Sequence, residues 1–319
     1  MTWLVTGGAG YIGSHVVHSF REAGIPVAVI DDLSSGFAAF VPAEVPHFNG
    51  SVLDRALLDT IFAEHPVTGV VHLAGFKYAG VSVQRPLHTY QQNVTATAVL
   101  LEAMEAAGVM NIVFSSSAAV FGTPTVDLVT EQTATRPESP YGESKLIGEW
   151  LIADQARARG IGHTSLRYFN VVGSGHPGLY DTSPHNLFPL IFQALIEGRT
   201  PTVFGTDYST RDGSCERDYV HVSDIALAHV EAARALDAGR SLEAVYNLGS
   251  GSGATVLEIM AAVAEVTGID FAPERAPRRP GDPDRIVASG ELARRDLQWQ
   301  MRHSLTEMVS SAWQARRHA

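Results

Sequence analysis

Short apolar runs alternate with amphipathic stretches through the first half of the chain. The runs cover 3–6, 27–31, 70–73, 112–115 and 164–167. Each is bounded by turn residues, and each reads as a strand covered on both faces. Between them, 11–23, 55–64, 89–107 and 141–159 carry apolar residues at helical spacing. This alternation predicts parallel strands joined by right-handed crossovers, with helices on both faces. The expected fold is α/β, a doubly wound parallel sheet.

Beyond Asn170 the regularity falls. Gly, Pro, Asp, Ser and Thr crowd 173–184 and 205–213, which read as long loops. Helical spacing returns at 187–197, 224–236, 256–267 and 304–316, with short strands expected at 201–204, 219–222 and 245–248. The expected organisation is a nucleotide domain over 1–170, to which 219–250 returns, and a smaller C-terminal α/β substrate-binding domain within 171–319. No internal repeat or low-complexity tract stands out.

The 319 residues are 45% hydrophobic and 18% charged, enough apolar side chains for a sizeable core. The formal net charge of -11 comes without a basic patch, which argues against a nucleic-acid partner. It leaves room for an anionic ligand held locally by a few arginines. Cys215 is the single cysteine, so no intramolecular disulfide and no cysteine-based metal site are expected. The opening Thr2-Trp3-Leu4-Val5-Thr6 has no basic and apolar leader pattern, and no apolar run approaches the ~18 residues of a membrane span. The cytoplasm is the expected location.

Candidate chemistry begins at Gly7-Gly8-Ala9-Gly10-Tyr11-Ile12-Gly13, between a predicted strand and a predicted helix. Gly7, Gly10 and Gly13 allow a tight turn, close approach of the backbone to a pyrophosphate, and close helix–strand packing. The helix start offers free N–H groups to phosphate. Asp31 ends the second strand. Its carboxylate can accept from ribose hydroxyls and would repel a 2′-phosphate, and Asp32 adds to that repulsion, so NAD is expected rather than NADP. Further on, Tyr141 and Lys145 stand at i and i+4 of a predicted helix, on one face. A nearby ammonium is expected to bring a phenol down from about 10 toward the working range, where it can take a proton from a hydroxyl. Ser115-Ser116-Ser117 follows a strand that should run toward the same cleft.

These segments resemble the extended short-chain dehydrogenase/reductases of Rossmann type, and among them the UDP-glucose (UDP-galactose) 4-epimerases. The resemblance runs nearly end to end. It is carried by 5–15, by Phe114-Ser115-Ser116-Ser117-Ala118, and by Ser139-Pro140-Tyr141-Gly142-Glu143-Ser144-Lys145. Leu166-Arg167-Tyr168-Phe169-Asn170, Arg217-Asp218-Tyr219-Val220-His221-Val222 and Tyr246-Asn247-Leu248-Gly249 extend it. It implies a tightly held NAD, a UDP-sugar substrate, and inversion at sugar C4 through a 4-keto intermediate. Tyr141 would be the base, Lys145 its electrostatic partner, and Ser117 the hydroxyl beside the sugar oxygen. Cofactor contacts are implied for Gly7, Gly10, Tyr11, Ile12, Gly13, Asp31, Asp32, Leu73, Ala74, Gly75, Lys77, Asn93, Ser115, Tyr141, Lys145 and Tyr168. Substrate contacts are implied for Lys77, Ser117, Tyr141, Asn170, Asn186, Leu187, Phe204, Arg217, Arg279 and Asp282. A homodimer through the 89–107 and 141–159 helices is implied as well.

The chain departs from the family pattern at four places. Ser51 replaces a frequent aspartate near the adenine, Ala119 a threonine near the sugar, and Phe121 a tyrosine. Ile286 matches a position that limits sugar size. Related dehydratases carry an Asp-Glu pair where this chain has Ala118-Ala119, and related decarboxylases carry a Glu at the second position. Alanine supplies neither acid nor base for eliminating water, which favours epimerisation. A non-catalytic NAD-sensing protein of the same fold is the alternative from another class. Such a protein would have no need of the Tyr141/Lys145 pair.

Overall fold

The computed structural model describes residues 2–279 and 282–317. Strands β1 (Thr2–Thr6), β2 (Val27–Asp31), β3 (His47–Asn49), β4 (Val67–His72), β5 (Asn111–Ser117) and β6 (Gly162–Tyr168) join the Val245–Leu248 strand in one sheet. The order is β3-β2-β1-β4-β5-β6 and then Val245–Leu248, every neighbour parallel. This is the doubly wound architecture that the alternation predicts. β1, β4, β5 and β6 run longer than their apolar runs, and β3, with a single apolar residue, has no sequence signature of its own.

Alternation across the pleat sorts the side chains into two cores. Val5, Val29, Val71, Val113, Leu166 and Tyr168 pack against the Tyr11–Glu22 and Val222–Asp237 helices. Leu4, Ala28, Ile30, Val70, Ile112 and Phe114 face the Arg55–Glu64, Ala96–Ala107 and Pro140–Arg159 helices. Local sequence sets the helix ends. Ser139 accepts from Gly142 N–H and Pro140 fills the first turn, while Gly160 closes the helix in the left-handed region.

Two expectations change. The stretch 89–107 is not one helix. Pro86–Tyr90 runs into a π-turn at Gln91–Thr95 and then into Ala96–Ala107. The wide turn places Asn93 inward, where Oδ1 accepts from Phe76 N–H (2.7 Å) and Nδ2 donates to Phe76 C=O (3.0 Å) and Ser144 Oγ (2.8 Å). Second, Tyr219–His221 does not return to the main sheet. It pairs in parallel with Asn170–Val172, a strand the sequence did not announce. Only Val245–Leu248 comes back, beside β6.

The later helices Leu187–Ile196, Val256–Thr267 and Leu305–Arg317 build a third core around Phe188, Phe192, Ile259, Met260, Met308 and Trp313. Short ladders lie alongside it: Thr202–Phe204 with Glu274–Ala276, and Glu216–Arg217 with Ala254–Thr255 and Arg285–Ile286. Among the described residues no helix is long and apolar enough to cross a membrane.

Candidate active site

Between β1 and β4 the strand order reverses, and a crevice opens beyond the carboxyl ends of the strands. A cavity of about 730 Å³ occupies it. Its walls include Gly7, Gly10, Tyr11, Ile12, Gly13, Asp31 and Asp32 from the first two strand ends, and Leu73, Ala74, Gly75 and Lys77 after β4. Ser115, Ser117, Tyr141, Lys145, Tyr168, Asn170, Asn186 and Leu187 line it as well, as foreseen.

The glycine turn meets steric demands that no other residue satisfies. Gly7 adopts φ +72°, and a Cβ there would lie 2.7 Å from Ala74 N. A Cβ on Gly13 would lie 2.0 Å from Gly7 O. Gly10 caps the Tyr11–Glu22 helix without a side chain, and no acidic residue stands in its first turn. The first-turn N–H groups thus face the cavity with the positive end of the helix dipole behind them. Asp31 Oδ2 accepts from Ala9 N–H (2.9 Å) and Oδ1 from Leu33 N–H (2.8 Å). Each oxygen keeps a further lone pair for a ribose hydroxyl. Burial pushes the Asp31 carboxyl up from its ordinary value, against the two N–H bonds. Tyr11 turns its hydroxyl away to donate to Gly173 C=O (2.6 Å), leaving its backbone to the ligand. Ser51 lines the cavity and accepts from Leu53 N–H (3.2 Å).

At the other end, the Pro140–Arg159 helix comes close to the serine strand. A Cβ on Gly142 would lie 2.5 Å from Ala119 O, so glycine permits the approach. Ser117 Oγ accepts from Ala119 N–H (3.1 Å), which leaves its proton free to point into the cavity. The Ser117 hydroxyl favours the Tyr141 phenolate. Burial is the larger influence, and it pushes Tyr141 above its ordinary value. Lys145 Nζ stands 5.9 Å from the Tyr141 ring centre and donates to Ser115 C=O (2.8 Å). The lowering expected for Tyr141 is not the net result: burial sets the direction, and the Ser117 hydroxyl acts against it. Burial lowers Lys145 to about 8.

Five foreseen residues stand off the cavity wall. Asn93 braces the Gly75–Phe76 segment from behind. Phe204, Arg217, Arg279 and Asp282 form a neighbouring cluster. Arg279 lies over Phe204 (4.1 Å), Arg217 Nη2 donates to Asp282 Oδ1 (3.2 Å), and Ile286 pairs with Arg217 across the ladder. Asn186 lines the cavity but spends its amide on Asp181 Oδ2 (2.7 Å). The sequence reading missed Asp181 and Arg316, which also line the cavity. Both lie in segments without a local signature, and only long-range packing brings them there.

A doubly wound sheet, a glycine turn at its switch point and a Tyr/Ser/Lys set across the cleft define a dinucleotide-binding enzyme of the short-chain dehydrogenase/reductase class. Residues 3–249 match the family described as "NAD dependent epimerase/dehydratase family". The chain belongs to that family, and its cofactor is NAD. It is 43% identical to a UDP-glucose 4-epimerase of Azospirillum brasilense, over 97% of this chain and 90% of the relative. A solved UDP-glucose 4-epimerase of Bifidobacterium longum, in complex with NAD+ and UDP, superposes with a TM-score of 0.92 at 35% identity, covering 99% and 98% of the two chains. The UDP-Glc/GlcNAc 4-epimerase of Campylobacter jejuni superposes with a TM-score of 0.87 at 33% identity, covering 100% and 99%.

Proposed function

We propose that this chain interconverts UDP-galactose and UDP-glucose by inverting the configuration at sugar C4 through a transient 4-keto sugar. The observation that carries the reading is the placement of Tyr141, Ser117 and Lys145 on the wall of the cavity that also receives the glycine turn and Asp31. When bound, NAD supplies hydride acceptance and return at the reacting carbon. Tyr141 takes the C4 hydroxyl proton and gives it back. Ser117 donates to the same oxygen and holds it within reach, and Lys145 provides positive charge behind the phenol.

The first-turn N–H groups of Tyr11 and Ile12 hold the pyrophosphate, and Asp31 holds the ribose. Asn170, Asn186 and Leu187 meet the substrate inside the cavity. Phe204, Arg217, Arg279 and Asp282 clamp the UDP part, where forked guanidinium donors suit a diphosphate. Ala118 and Ala119 offer no acid or base for eliminating water. Residues 1–170 with the Val222–Asp237 helix and the returning Val245–Leu248 strand form the nucleotide domain, and the rest of 171–319 forms mainly the substrate domain. The chain pairs as a homodimer through the Ala96–Ala107 and Pro140–Arg159 helices, a reading supported by the 57% exposure of Trp150 on the latter, and it works in the cytoplasm.

Incubating purified protein with UDP-galactose, without added NAD, should yield UDP-glucose. A parallel incubation with UDP-N-acetylgalactosamine tests the sugars admitted beside Ile286. No product from either sugar nucleotide, in protein shown to contain NAD, would overturn the reading.

A further inference from the structure

Lys145 and Glu149 lie one turn apart on the Pro140–Arg159 helix, and both are buried. Consecutive residues of β5 hold them. Lys145 donates to the carbonyl of Ser115, and Ser116 Oγ donates to Glu149 Oε1. Arg167 grips the same carboxylate through Nε to Oε1 (2.8 Å) and Nη2 to Oε2 (2.6 Å). Arg167 is the cross-strand neighbour of Ser116 and lies over the Phe121 ring (5.0 Å). The result is a buried row of cation, anion and cation that ends at the base. A buried ion pair can often be replaced by apolar side chains with little loss of stability, so stability alone is a weak reason for it.

We infer that Glu149, clamped by Arg167 and Ser116, is a positioning residue that sets the charge of Lys145, and through it the proton transfer at Tyr141. The inference rests on the Tyr141/Lys145 reading proposed above. Among the other titratable groups, Tyr141 on its own helix and His72 on β4 face Lys145, and Tyr168 on β6 faces Tyr141. Burial, with the Lys145 charge, lowers His72 to about 3, and burial raises Tyr168. Both are neutral across the working range. Burial lowers Lys145 and Glu149 opposes it, while Arg167 on the far side of the carboxylate tempers Glu149.

This charge order predicts shifts of opposite sign in the pH profile of kcat/KM. In Glu149→Gln the ammonium loses its counter-charge, and the alkaline limb should move down by about one pH unit. In Arg167→Gln the carboxylate is freed, and the limb should move up. The double variant Glu149→Gln/Arg167→Gln removes both members of the Glu149–Arg167 ion pair and leaves neither half of it buried alone, so it serves if a single variant does not fold. Its limb should lie below that of the parent, because the charge nearer Lys145 has gone. Single variants whose limbs do not move, or move the same way, would overturn the inference, as would a double variant that superimposes on the parent. Tyr141→Phe, run alongside, separates the two readings: if it stays active, the base assignment fails whatever the Glu149 profile shows.

Discussion

Gly13→Ala tests the turn at its tightest point. The added methyl would lie 2.0 Å from Gly7 O and 2.9 Å from Gly8 Cα, against ordinary contact at 3.4 Å and beyond. The shortfall at Gly7 O is about 1.4 Å, and both neighbours are backbone, so no side chain can rotate away. The Tyr11–Glu22 helix must therefore lift from the turn, and its N–H groups leave the phosphate position with it. Overpacking of this kind costs about 1–3 kcal/mol in stability. A loss of similar size in NAD binding is a drop of about five- to a hundredfold in affinity, at about 1.4 kcal/mol per decade. The assay is the NAD released from purified protein by acid, measured beside the melting temperature. Gly24→Ala is the control. It ends the same helix at φ +73° with nothing within 4 Å, so it should cost about 1–2 kcal/mol of stability and retain NAD. A Gly13→Ala protein with full NAD and an unchanged melting temperature would refute the steric argument.

Three further outcomes are expected. Tyr141→Phe should keep the fold and the NAD and lower kcat by about 10²–10⁴-fold, and a rate near the parent's would sink the base assignment. Asp31→Asn should weaken NAD retention by roughly ten- to hundredfold, since a charge-assisted acceptor is lost; equal NAD content in both proteins would remove the ribose role. Stability should fall in acid, because burial lowers His15 and His72 to about 3 and His229 to about 4. Their folded pKa values lie below the unfolded value near 6.5, so the unfolded chain binds more protons as pH drops. The loss begins below about pH 6.5 and continues to about pH 4 for His229 and about pH 3 for His15 and His72, at roughly 1–2 kcal/mol per histidine by pH 5. A melting temperature that is flat between pH 6.5 and 4.5 would contradict it.

The chain's own pattern determined the sheet, the glycine turn, Asp31 and the Tyr141/Lys145 pair. Each depends on residues within a turn or two of one another, where local sterics and side-chain period dominate. Long-range packing decided the rest. Nothing local marks Asn93 as a residue of a π-turn, because that turn answers to the backbone of Phe76. Tyr219–His221 pairs with Asn170–Val172 rather than with the main sheet, a choice made between strands of similar apolar character. Lys145 and Tyr141 share a face, as their spacing says. Yet the burial that governs the charge of both, the Ser117 hydroxyl that favours the phenolate and the Arg167 that holds Glu149 come from other strands. Periodicity can place two side chains on one side of a helix. What dielectric they meet there, and which charges stand opposite, depends on every element packed against that face, and only the folded chain contains that information.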